Sequence, residues 1–249
     1  MEIHHGHSDI RTWRTFALEF LMIAIAVFVG SMGEYYLEHK IMEERRDEGL
    51  ALMLRNLETD QRNLDEIIKF SDSGLAYLSR SKESAYLYRS GKISRDQYFR
   101  RLVDDLPNNY QYRTFFLDSA AFNSMSSAGL ISLIESPDLK SAISDYYAIF
   151  AKRLQDNNLL VDSDAKTYYY DSFPLQNPVD VSELGDAPKI SRREDIEFYL
   201  TLPRVIESLT ADRFITDTDN LRIRVLDYRN LLVRIRSQNQ KLVIMIRSQ

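Results

Sequence analysis

The chain has 249 residues, of which 44% are hydrophobic and 28% charged, so most of it can fold around a core. It contains no cysteine, which excludes disulfide scaffolds, thiolate metal sites and cysteine nucleophiles. Its net charge of -5 gives no overall attraction to nucleic acid, and its 8 Gly and 6 Pro argue against a loop-rich β sandwich.

The first predicted element is an apolar helix over residues 16–37, which follows a short tail of residues 1–15. No charged residue lies between Phe20 and Gly33. As a helix, residues 16–37 would extend over about 33 Å, which is close to the hydrocarbon thickness of a bilayer. We therefore predict a transmembrane helix. The alternatives are a buried core helix and a cleaved signal peptide.

Aromatic residues flank this segment, with Trp13 before it and Tyr35 and Tyr36 at its end. Trp and Tyr are favoured at the two membrane interfaces. Basic residues occur on both flanks, so the positive-inside rule does not decide the orientation. A short tail, one span and a large following domain are typical of a signal anchor. We therefore expect a cytoplasmic tail and a periplasmic domain formed by residues 38–249.

Several residues of the predicted span are candidates for contact with the membrane or a partner. Glu19 lies about one turn inside the headgroups, where it can reach the interface or pair with Arg14. Ala26, Gly30 and Gly33 follow one face at a spacing that permits close contact with another span. The alternative is a thin helix that has no partner.

The predicted helix continues beyond the membrane, because residues 34–70 contain no Pro and only one Gly. Alternating steps of four and three residues mark a heptad seam in this segment. The members of this seam are Leu50, Leu54, Leu57, Gln61, Leu64 and Ile68. We predict one rod that runs from the membrane to near Phe70.

A second heptad seam lies at the C-terminus, where Asn239 is the polar member expected to set the helix register. Its other members are Leu221, Val225, Tyr228, Leu232, Ile235, Leu242 and Ile246. Residues 34–66 contain ten acidic and five basic side chains, whereas residues 220–249 contain seven basic and one acidic. The opposite charges favour pairing of the two helices, although the hydrophobic seams must supply most of the energy.

Antiparallel pairing would return the C-terminus to the membrane. The bases that would then approach the headgroups or a neighbouring protein are Arg236, Lys241 and Arg247. The alternative is that these bases are solvated on an exposed helix face.

Capping signals predict shorter helices between the two long ones. Residues 94–97 form a capping box, and Ser136 precedes a Pro at a first helical position. Gly129 is expected to end a helix in the left-handed conformation. Three Pro and one Gly in residues 171–190 predict an irregular loop, and Pro203 should kink or break the helix after it. The predicted fold is all-α, a helical bundle in which the long N-terminal helix packs with a long C-terminal one.

The sequence shows no catalytic motif, since it has no P-loop, no dinucleotide glycine fingerprint and no HExxH. The four His residues are His4, His5, His7 and His39. The first three fall in the tail, where a free chain end is more expected than a metal site. We expect no enzyme activity, no cofactor and no nucleic-acid partner.

Three stretches of the chain resemble an uncharacterised family of single-span bacterial inner-membrane proteins. They are LEFLMIAIAVFVG with its early Glu19, the polar helix HKIMEERRDEGLALMLRNLETDQRNL, and DSAAFNSMSSAGLISLIESPDLKSAISDYY at residues 118–147. The resemblance implies a helical extracytoplasmic domain on one membrane anchor. It supplies no catalytic residue.

Two hypotheses for function follow. The first is a membrane-anchored, non-catalytic interaction or accessory subunit of a membrane protein complex. Its partners would be the lipid bilayer and other membrane subunits, or a second copy of the chain. The alternative is an extracytoplasmic ligand-sensing bundle that signals through a separate partner. A deep pocket of mixed polarity would favour the sensor, whereas a solid core would count against it.

Overall fold

A computed structural model of the chain describes residues 13–105, 113–169 and 200–249. These residues form helices and no strand, which confirms the all-α prediction. The helices are α1 (Trp13–Arg89), α2 (Arg95–Asp105), α3 (Ala120–Ser127), α4 (Pro137–Ser144), α5 (Ala151–Thr167), α6 (Pro203–Thr210) and α7 (Asp212–Arg247). The predicted loop at 171–190 and the three tail histidines lie outside the described residues.

Helix α1 runs without interruption from Trp13 to Arg89, so the predicted end near Phe70 is wrong. Its 77 residues extend over about 115 Å. The helix continues because the heptad spacing of small and apolar residues continues to Ala85, which is buried. It ends where Gly91 takes a left-handed conformation with φ +69°, a conformation that glycine adopts without strain.

The buried stripe of α1 is a heptad seam, but it is not the seam that the sequence suggested. Leu50, Leu57 and Leu64 are buried as predicted, whereas the intervening predicted members are only partly buried. Met53 and Asp60 are buried instead, so the steps from Leu50 run three and then four. Helix α1 packs against α7 on one side and against α2 and α3 elsewhere, and this wider contact moves the centre of its buried face.

The second predicted seam is confirmed, because all eight of its members are buried on α7. Helix α7 packs antiparallel on α1, as three ion pairs between the two helices show. Their N–O distances are 2.8 Å for Arg229 and Asp72, 2.5 Å for Arg236 and Asp65, and 2.7 Å for Arg247 and Glu58. Each pair is partly exposed and contributes little to stability, so the buried seams hold the helices together.

Helix α7 ends well short of the predicted span. Arg247, its last residue, pairs with Glu58, and about 30 Å of helix separates Glu58 from Leu37. Arg236 likewise pairs with an acid of α1, Asp65. The expectation that these two bases reach the headgroups is therefore wrong, because they neutralise the acidic face of α1.

The predicted caps are present in the described residues. Ser94 and Gln97 exchange hydrogen bonds at the start of α2. The Ser136 hydroxyl accepts the Leu139 amide at 3.2 Å at the start of α4. Gly129 follows Ala128, the C-cap of α3, and has φ +73°. Helix α6 begins at Pro203, directly after the extended residue Leu202, so no helix runs through this proline. The predicted helical residues before 200 lie outside the described residues.

Two hydrophobic clusters lie along α1. One joins α1 to α3, α4, the first two thirds of α5 and the C-terminal half of α7. The other joins the last third of α1 to α2, the end of α5, α6 and the N-terminal half of α7. The bundle therefore packs on α1 from residue 42 onward, and the N-terminal part of α1 projects from it.

The projecting part of α1 contains the predicted span. An 18-residue window there has a mean hydropathy of 2.1, and none of it is buried in the protein. This exposure excludes a core helix of the described bundle. The segment is long and apolar enough to cross a membrane.

Candidate ligand groove and its polar core

The residues predicted for membrane or partner contact lie along the projecting helix, apart from Asn239. Those with exposed side chains are Trp13, Ala26, Gly30, Gly33, Tyr35 and Tyr36. Glu19 is half-buried, and only the backbone of Arg14 is described. Apart from helix backbone, no described atom lies within 4 Å of the Cβ position at Gly30 or Gly33. The small-residue face is therefore open.

Asn239 lies inside the bundle and is fully buried. Its Nδ2 donates to the Leu57 carbonyl of α1 at 3.0 Å and to the Tyr146 hydroxyl at 3.2 Å. This residue thus links α7 to α1 and to the centre of the domain, which fits the predicted register role. A direct contact with an external partner is excluded by its burial.

Sequence reasoning missed a second buried polar residue, Asp60, which is 2% exposed. Its carboxylate accepts a hydrogen bond from the Asp118 amide at 3.1 Å. Burial raises the Asp60 pKa from 3.8 to about 6, and the Asp118 amide partly offsets this rise. The sequence does contain a signal for the burial of Asp60, because this residue lies three positions after Leu57 and four before Leu64. A seam that passed through Met53 would have included it.

Tyr146 and Tyr147 are adjacent in sequence, yet both are buried. They lie in a π-helical turn, Asp145–Phe150, that joins α4 to α5. Their rings meet edge to face with centroids 5.0 Å apart, and Tyr147 stacks on Phe122 of α3 at 4.6 Å. π turns of this kind are frequent at functional sites.

A surface groove of about 430 Å³ lies between α3, α5 and the irregular segment 113–119. Its apolar lining includes Phe116, Leu117, Phe122, Leu154 and Leu159. Its polar lining includes Tyr147, Asn158 and Asp162. Apolar walls with a few polar groups are typical of small-molecule sites, and this volume is in their usual range.

Three polar atoms of the groove residues are buried without a hydrogen-bond partner among the described residues. They are the Tyr147 hydroxyl, Asn158 Oδ1 and Asp162 Oδ1. The Asn158 amide is oriented by its own Nδ2, which donates to the Phe115 carbonyl at 2.8 Å. The Phe115 amide donates to the Tyr228 hydroxyl at 2.7 Å, so the segment beside the groove is held on both sides.

A second groove of about 380 Å³ lies between α4, the π turn and α7. Tyr146 lines this groove, whereas its neighbour Tyr147 lines the first. Its charged lining residues are Asp138, Asp145 and Lys241. This second groove is thus lined by two acidic side chains and one basic side chain.

No described set of three or more His, Cys, Asp or Glu is arranged to hold a metal ion. Comparisons of the chain with protein families, curated proteins and solved structures found no match. The family resemblance thus stays a prediction, and proposals for function rest on the geometry above.

Proposed function

We propose that the protein is a membrane-anchored, non-catalytic interaction subunit in the bacterial inner membrane, with its helical bundle in the periplasm. The observation that carries this proposal is the continuity of α1. One unbroken helix supplies both the exposed apolar segment and the spine of the bundle. A bundle attached in this way is held at a fixed distance from the bilayer, which suits a protein that positions partners.

The open face of the projecting helix supports a partner within the membrane. Gly30 and Gly33 have free space around them, so the backbone of another span can approach closely there. Helix association in lipid depends on such close packing, because apolar side chains gain nothing by leaving the lipid. The partner is a span of another subunit or of a second copy.

Extraction tests the anchor. Carbonate washing should leave the chain in native membranes, and only detergent should release it; release by carbonate alone would contradict the anchor. Mass spectrometry of the purified protein separates an anchor from a cleaved signal peptide, since an anchor retains residues 16–37. The chain has no Cys, so an impermeant maleimide would report the side of the membrane through one Cys introduced at the exposed Glu66.

Photo-crosslinking tests the partner face. A photoreactive residue at Gly30 should give a crosslinked adduct with another span in native membranes. The same residue at Phe28, which is about 200° away around the helix, is the matched control and should give little. Equal yields at the two positions, or recovery only as a monomer in mild detergent, would contradict the proposal.

A second candidate function is ligand sensing, and the groove favours it. Tyr147 lines the groove and contacts Tyr146 edge to face. Asn239 donates to Tyr146 and to the Leu57 carbonyl of α1. A contact path thus joins the groove to the helix that carries the apolar segment. A sensor predicts that ligand changes the distance between spin labels on α1 and α5; unchanged distances at saturating ligand would contradict it.

A further inference from the structure

We infer that the groove between α3 and α5 binds a small organic cation with an apolar body, of the arylalkylamine class. The groove is built entirely from residues of the bundle, so this inference stands apart from the membrane anchor. A sensor would need a ligand in this groove, but a ligand can bind in the groove even if the protein is not a sensor.

The unpaired acceptors point to a ligand that donates hydrogen bonds. Asn158 is 4% exposed, and its Oδ1 has no partner among the described residues. The Nδ2 bond to the Phe115 carbonyl fixes the amide, so the free atom is an acceptor. Asp162 Oδ1, one helical turn further along α5, is a second buried acceptor. Buried polar atoms are almost always satisfied in proteins, so this wall of the groove favours a donor over an acceptor. Asp162 as a whole is only partly buried, so an ammonium group in the groove can approach its carboxylate.

The charged residues that line the groove determine which sign of charge a ligand must carry. Asp162 is the only charged residue among the described residues that line the groove. Burial raises the pKa of Asp162, and a bound cation would favour its ionised form. Asp60 and Asp118 lie close enough to add, after burial, to the rise in the Tyr147 pKa. A cation is therefore attracted to this groove, whereas an anion is repelled.

The walls define the rest of the ligand. Phe122 and Tyr147 form a stacked pair inside the groove. Phe116 is 73% exposed and Leu159 is 65% exposed, although both line the groove. A ligand with an aromatic or aliphatic body would cover these two side chains, and its ammonium group would gain from the nearby ring faces.

The test uses the full chain in nanodiscs of zwitterionic phosphatidylcholine, with empty nanodiscs as the blank. The probe is 2-phenylethylamine, and 2-phenylethanol is its neutral counterpart of similar size. Titration followed by ligand-observed NMR should show saturable amine binding that is at least about tenfold tighter than binding of the alcohol. Binding no greater than in empty nanodiscs, or equal binding of the two probes, would overturn the inference.

Two variants and one control locate the site. Asp162→Asn keeps the shape of the side chain but removes its charge, so it should abolish the preference for amine over alcohol. Asp156→Asn is the matched control, because Asp156 is exposed on the same helix and pairs with Lys152, and it should change the amine Kd by less than about twofold. If Asp162→Asn keeps the amine preference, the assignment is wrong.

Ala151→Leu tests the same site independently of charge. Ala151 lines the groove and is half-buried, so the larger side chain would fill part of the space. Binding of both probes should fall, while circular dichroism shows an unchanged helix content. Unchanged binding to a folded Ala151→Leu protein would place the ligand elsewhere and overturn the inference.

Discussion

Asp60 is a buried acid that lowers the stability of the bundle. Its carboxylate lies in the main interface of α1, where a hydrophobic residue would pack without penalty. The single hydrogen bond from the Asp118 amide does not replace the hydration that the ionised carboxylate loses. The same region contains Asn239, Tyr146 and Tyr147, so it is the polar centre of an otherwise apolar core.

Replacement of this acid should remove a pH-dependent cost. The pKa of Asp60 is about 6 in the folded protein against 3.8 ordinarily, so the folded state binds more protons between these values. Its contribution to stability therefore falls as pH rises from about 4 to about 6, and the full cost of roughly 3 kcal/mol applies above that range. Asp60→Asn should stabilise the protein at pH 7.5 and have little effect at pH 4.

Urea denaturation at the two pH values measures this difference. Glu66→Gln, on the exposed side of the same helix, is the control for loss of one negative charge. If Asp60→Asn increased the free energy of unfolding equally at pH 4 and pH 7.5, ionisation of the buried carboxylate would not be the cause of the stabilisation.

Gly129 sets the direction of the chain between α3 and the following turn. Its φ of +73° strains any residue that has a Cβ, although there is open space around the position. Gly129→Ala should therefore cost about 1–2 kcal/mol through the backbone alone. Gly129→Asn should cost less, because Asn tolerates the left-handed region better. Thermal unfolding of the two variants checks this order, and a more stable Ala variant would contradict it.

At the scale of helices, the seam of α7 is predicted correctly, whereas that of α1 is correct at only three of its six positions. On α7 every predicted seam member is buried, and the buried face extends beyond the seam to Phe214, Thr218 and Val243. On α1 Met53 and Leu54 are both apolar, and which of them is buried depends on how α2, α3 and α7 pack on the helix. The apolar face that runs from Leu139 to Leu154 indicates that Tyr146 and Tyr147 pack inward, as they do, but it does not indicate the π turn in which both lie.

The groove illustrates a second limit of the sequence. Phe116, Tyr147 and Asp162 come from three separate segments, and none belongs to a recognisable motif. Their importance depends on which acceptor atoms remain unpaired after folding, which no pattern of residue types reports. The caps at Ser94 and Ser136 were predictable because each depends on only four neighbouring residues.

Alanine substitutions distinguish the observed seam of α1 from the predicted one. Met53 is fully buried, whereas Leu54 is only partly buried. Met53→Ala should destabilise the protein by about 2–5 kcal/mol, because a cavity is left in the core. Leu54→Ala should cost clearly less, and Leu52→Ala, at an exposed position, about 0.5 kcal/mol or less. Equal losses of unfolding free energy in Met53→Ala and Leu54→Ala would contradict the observed seam and support the predicted one.

At the scale of the whole molecule, one helix has a part inside the bundle and a part outside it. The hydrophobic core of the bundle contacts α1 from residue 42 onward, and none of the most apolar window of the helix is buried against it. The folding free energy of the bundle therefore comes from α1 beyond the apolar segment, from α7 and from the shorter helices that pack on them. The exposed apolar segment adds nothing to that core, and its apolar side chains need lipid or a partner.

Removal of the N-terminal segment should separate these two roles. A fragment of residues 38–249 keeps both hydrophobic clusters and the ion pairs between α1 and α7, so it should fold without detergent. Its melting temperature should lie within a few degrees of that of the full chain, because no core residue is lost. Size-exclusion chromatography and circular dichroism measure both properties. An aggregated or unfolded fragment would show that the projecting segment stabilises the bundle, and the division of α1 into an anchor and a spine would then be wrong.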